Sequence, residues 1–115
     1  MAEAGFTFPD ITPAELTIDG EKVNIQPEGL SAFDGTIVET NLQNLLPQTF
    51  SGFVRYFKNA PPTGPATGRC SIVQDQLFIL FTPDGAVIPN AYFQSQDPHG
   101  PIPPIGLVKG TWGLL

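Results

Sequence analysis

The sequence predicts an all-β fold: an antiparallel β-sandwich or small barrel of about seven strands, with extended proline-rich loops and at most one short helix. Three observations carry this expectation. Thirteen prolines and twelve glycines are scattered through 115 residues, which leaves few stretches long enough for a helix. Short alternating apolar runs recur along the chain, with the period of a half-buried strand. Asp-Gly pairs at Asp19-Gly20, Asp34-Gly35 and Asp84-Gly85 punctuate those runs, and Asp-Gly is a strong signal for a tight turn.

Composition sets the outer limits. At this length one domain is expected, divided into an extended arm over residues 1–14 and a β domain over 15–115. Hydrophobic residues make up 41% and mean hydropathy is +0.03, enough for a core and against disorder. Charged residues are 14%, well below the usual quarter. Much of the surface is therefore neutral, as interfaces are. The charge is also uneven. Residues 1–39 hold eight acids and one base, Lys22 (−7); residues 40–115 hold three acids and four bases (+1), which sums to the net −6. Acidity with scattered bases argues against a nucleic-acid partner.

A single cysteine, Cys70, excludes an intrachain disulfide. The first residues carry no basic segment and apolar run of the signal-peptide kind. The longest apolar run, residues 77–81, is too short for a membrane span. A soluble, intracellularly made protein is expected, with a virion as one setting.

Residues 1–14 read as an arm in which Phe6 and Phe8 alternate and Pro9 and Pro13 forbid a continuous helix. Such an arm lies on its own domain or on a neighbour. Residues 15–26 read as a hairpin about Asp19-Gly20, with Leu16 across from Val23 and Ala14 across from Ile25. Leu16, Ile18, Val23 and Ile25 then share one face. Residues 27–35 read as loop with a turn at Asp34-Gly35, and 36–40 as a short strand. Residues 41–46 carry the one credible helix, with Thr40 as cap and Pro47 after its end. Residues 49–59 read as a strand with Phe53 and Phe57 on one side and Phe50, Val54 and Tyr56 on the other. Gly52 marks a bulge or a close backbone approach there. Residues 60–68 read as a flexible loop.

The stretch 70–96 reads as one long hairpin closed by Thr82-Pro83-Asp84-Gly85. That turn sets Phe81 opposite Val87, Leu80 opposite Ile88, Phe78 opposite Asn90 and Leu77 opposite Ala91. Both faces are apolar near the turn, so both expect cover. Residues 97–105 cannot pair as strand and suit polyproline II. Residues 106–115 form a last strand, with Val108, Gly110 and Trp112 on one side. No internal repeat is evident.

The chain offers little chemistry. Cys70 and the sole histidine, His99, lack a third orienting group for nucleophilic catalysis. One His and one Cys do not make a zinc site, and the Asp-Gly pairs are turn chemistry without the alternating ligands of a calcium loop. Asp75 is expected to pair with Arg55 or Arg69. Neither Gly-rich phosphate motif occurs. No enzyme activity, cofactor or metal is expected.

The expected function is that of a non-enzymatic, self-assembling structural protein, such as a small virion component: a capsid decoration, tail or spike subunit. A hairpin apolar on both sides finds its cover in a symmetric oligomer. The partner-binding residues expected are Phe6, Phe8, Phe78, Phe81, Val87, Ile88, Tyr92 and Trp112. One alternative is a small barrel holding an apolar ligand among its nine Phe, two Tyr and one Trp, as a cyclase or isomerase would. Another is a lectin-like or receptor-binding tip using residues 60–68 and 97–105.

Overall fold

The alternating runs become strands, and each strand turns its apolar side to one common interior. In the computed structural model, which describes residues 8–40, 48–74, 76–96 and 105–113, the strands are β1 (Asp10–Asp19), β2 (Lys22–Pro27), β3 (Phe33–Thr40), β4 (Gln48–Tyr56), β5 (Gly64–Val73), β6 (Gln76–Pro83), β7 (Ala91–Ser95) and β8 (Ile105–Trp112). All neighbours are antiparallel, and the sheet closes in the order β1-β2-β3-β8-β5-β6-β7-β4. The fold is thus the barrel form of the all-β expectation, with eight strands. The helix expected over 41–46 lies outside the described residues.

Strand parity fills the interior. Leu16 and Ile18 from β1, Val23 and Ile25 from β2, Phe50 and Val54 from β4, and Leu77, Ile79 and Phe81 from β6 are all buried. Phe33, Phe81 and Trp112 pack at the centre with ring centroids 4.8, 5.1 and 5.2 Å apart. An eight-stranded barrel is just wide enough for side chains to fill. The outer wall carries Glu15, Lys22, Gln26, Asp34 and Lys109, all exposed. This apolar-in, polar-out order is the reverse of a lipid-facing barrel.

The topology contains a repeat that composition hid. Strands β1–β4 take the spatial order 4-1-2-3 of a Greek key, and β5–β8 repeat it as 8-5-6-7. The two halves share local chemistry. Pro13-Ala14 opens the first β1–β2 ladder and Pro65-Ala66 the β5–β6 ladder, pairing with Pro27 and Pro83 respectively. Pro13 and Pro65 lie just beyond these hairpin ladders, where no N–H is needed. The Pro13 carbonyl accepts from Glu28 N–H at 2.9 Å, and the Pro65 carbonyl accepts from Asp84 N–H at 3.0 Å. Pro27-Glu28-Gly29 and Pro83-Asp84-Gly85 then turn alike, with Gly29 at φ 75° and Gly85 at φ 84°.

The halves meet at two seams, β3 with β8 and β4 with β7, and a glycine sits tight in each. A Cβ on Gly110 would lie 2.2 Å from the Asp34 carbonyl oxygen; one on Gly52 would lie 2.1 Å from that of Gln94. Only glycine fits where backbones approach this closely. The expected role of Gly52 as a close-approach site holds.

Several registers differ from expectation, for reasons visible in the ladders. In the first hairpin Asp19 pairs with Lys22, so Leu16 faces Ile25 and Ile18 faces Val23. The turn residues are Gly20 and Glu21, with Gly20 at φ 65°, the place a type II′ turn reserves for glycine. Asp34-Gly35 is not a turn: both residues pair in β3, Asp34 with Asn24 and Gly35 with Gly110. Residues 64–68 are strand rather than loop, since β8 pairs with them. The stretch 70–96 is two hairpins, because β5 turns into β6 between Val73 and Gln76, where Gln74 takes φ 53°. In the second of these, Phe81 faces Ala91 and Leu80 faces Tyr92, instead of Val87 and Ile88. β6 stays paired with β5 as far as Pro83, which pushes the turn one residue on and releases residues 84–90 from the sheet.

Candidate interaction face

The released loop, residues 84–90, is the most exposed apolar feature among the described residues. It is anchored at both ends. Asp84 N–H donates to the Pro65 carbonyl, Ala86 N–H to the Pro83 carbonyl at 3.0 Å, and Asn90 N–H to the Phe81 carbonyl at 3.0 Å. Thr67 Oγ1 donates to Asp84 Oδ1 at 3.4 Å. Between the anchors Val87 is 93% exposed and Ile88 67%. Pro89, which has no N–H to offer a ladder, is buried beneath them. Beside this knob lies a surface groove of about 460 Å³, lined by Thr67, Arg69, Leu80, Thr82 and residues 83–87. Arg69 and Asp84 are both exposed, so the groove wall carries one charge of each sign.

Of the eight residues expected to bind a partner, the seven that are described separate into three sets. Phe81 and Trp112 are inside the barrel, 0% and 1% exposed, and belong to the core. Phe8 and Tyr92 are buried on the outside of the wall. Phe8 stacks edge-on to Phe57 at 5.1 Å and against Tyr92 at 5.6 Å, with Phe78 at 6.4 Å from Tyr92. The start of the described chain thus covers the outer face of its own barrel. Val87 and Ile88 face solvent, and Phe78 is half-buried. Phe6 lies outside the described residues, as do Asp75 and His99.

Pattern reading missed three things. It missed the groove residues Thr67, Arg69 and Leu80, because their adjacency depends on β5–β6 register. It missed Ile72 and Val73, 45% and 39% exposed at the far tip of the same hairpin, about 23 Å of strand from Ala66 at 3.3 Å per residue. It also missed that Val87-Ile88-Pro89 stands outside the ladder, although two apolar residues closed by a proline are themselves a hint.

The other candidate chemistry is quiet. The Cys70 side chain packs against the core, and burial pushes its thiol from 9.0 up to about 12. A thiol so placed stays protonated and unreactive at neutral pH. Among the described residues no cluster of three potential metal ligands occurs, and no helix is long and apolar enough to cross a membrane. No protein-family model, curated protein or solved structure matches the chain.

Proposed function

We propose that this chain is a non-enzymatic structural subunit that assembles with further copies of itself. The class of part it suits is a small virion component: a capsid decoration, tail or spike subunit. The observation carrying the proposal is the loop bearing Val87 and Ile88, fixed at both ends and held in solvent. Covering each of these side chains is worth about 1.5–3 kcal/mol. A folded chain that leaves both outside, as the two most exposed of its large apolar side chains among the described residues, has surface to gain from a partner. The scarcity of charge supports the same reading, since interface cores are depleted in it.

An apolar guest inside the barrel finds less support. Phe33, Phe81, Phe93 and Trp112 already occupy the interior, and such a guest would have to displace them. Sedimentation velocity on the full chain tests the proposal. Species at multiples of 12.3 kDa are expected, and a monomer at every concentration would refute it.

A further inference from the structure

The assembly reading leaves open which surface pairs with which, and the two Greek keys offer a comparison within one molecule. The same turn follows Pro27-Glu28-Gly29 and Pro83-Asp84-Gly85. In the first half the next apolar residue, Leu30, packs against the core. There Ser31 Oγ also donates to the Pro62 carbonyl at 3.4 Å. In the second half the corresponding stretch is longer and points Val87 and Ile88 outward. The first loop thus turns its apolar side chain, Leu30, onto the core, whereas the second buries only Pro89 and leaves Val87 and Ile88 outside.

Knob and groove lie side by side on one wall. Val87 is both the most exposed large apolar residue and part of the groove lining. A projection next to a recess is self-complementary about a twofold axis: the projection of each copy meets the recess of the other. The charges follow the same rule, because Arg69 and Asp84 both line the groove. A twofold axis between them sets Arg69 of each copy against Asp84 of the other.

We infer that a second copy of this chain docks over the β5–β6 wall about a twofold axis. Val87 and Ile88 of each copy enter the other's groove, and two Arg69–Asp84 pairs flank them. This rests on the assembly reading and names its surface. A contact confined to one wall falls at the small end of specific interfaces, below about 1,200 Å² in total. The dimer is therefore expected to be reversible.

The test is sedimentation velocity on the full chain across a concentration series, with near-ultraviolet circular dichroism from Trp112 reporting the fold. The variant Val87→Asp with Ile88→Asp changes only exposed side chains and is expected to remain folded and monomeric. Arg69→Asp is expected to weaken association about tenfold by setting like charges together. Adding Asp84→Arg to Arg69→Asp is expected to restore it, because each copy then carries the reversed pair. Wild-type association that survives Val87→Asp with Ile88→Asp overturns this surface and leaves self-assembly standing. Loss in Arg69→Asp without recovery in the double variant overturns the twofold pairing. A wild-type monomer at every concentration overturns both readings.

Discussion

Replacing Gly110 by alanine tests whether the two Greek keys are held as close as described. The added Cβ would sit 2.2 Å from the Asp34 carbonyl oxygen and 2.4 Å from the Gly35 Cα. Both are backbone atoms of a paired strand, so no side chain can rotate away. The β3–β8 seam must open, and ladder hydrogen bonds stretch with it. Overpacking of a tight site typically costs about 1–3 kcal/mol, occasionally more; with backbone on the receiving side about 3 kcal/mol is expected here. Against a total of about 6–17 kcal/mol for a domain of this length, that is a large fraction. Urea unfolding reads it directly: with a slope of about 1.5 kcal/mol per molar, the midpoint falls by about 2 M. Gly52→Ala, 2.1 Å from the Gln94 carbonyl oxygen at the other seam, should behave alike. Gly20→Ala is the control. Nothing lies within 4 Å of its Cβ and only φ of 65° opposes it, a penalty of about 1–2 kcal/mol. A Gly110→Ala midpoint at or above that of Gly20→Ala would refute the packing argument.

Three further substitutions probe the core. Phe81→Ala removes a fully buried ring from the Phe33–Trp112 cluster and should destabilise by about 3–5 kcal/mol in the same assay; a loss under about 1 kcal/mol would mean that the interior is not packed as described. Ser95→Ala strips the acceptor at 2.9 Å from the buried Leu77 N–H and should cost about 1–3 kcal/mol, with faster amide exchange at Leu77 as the specific sign. The thiol of Cys70 has its pKa raised by burial to about 12, above its value of 9.0 in the unfolded chain. Its contribution to stability is therefore whole below pH 9 and is lost as pH climbs towards 12. The slope is at most about 1.4 kcal/mol per pH unit. Urea midpoints of wild type should fall faster over that range than those of Cys70→Ser, and parallel decline would contradict the burial.

Local rules carried the reading of faces further than the reading of partners. The first hairpin slipped by two residues and the later one by four, both even numbers. An even slip leaves each side chain on the face its parity assigns, so Leu16, Ile18, Val23 and Ile25 point inward as the alternation requires. What alternation does not encode is which distant strand lies alongside. Asp34-Gly35 resembles a turn until β2 and β8 take it from either side. The internal repeat was written in Pro-Ala and Pro-Glu-Gly or Pro-Asp-Gly, but the spacing grows from 14 residues (Pro13 to Pro27) to 18 (Pro65 to Pro83). Unequal hairpins conceal a shared topology. The interaction face depended on a similar nonlocal fact: only the length of the β5–β6 ladder decides that Val87 and Ile88 leave the sheet.

Methyl nuclear magnetic resonance on the intact chain, diluted from high to low micromolar concentration, addresses the assembly face in one series. The signals of Val87 and Ile88 should move and broaden together as copies associate, while those of Val23 and Ile25 inside the barrel stay fixed. Spectra that do not change on dilution, or changes centred on Ile11 and Val38 instead, would contradict a subunit that joins its copies through the β6–β7 loop.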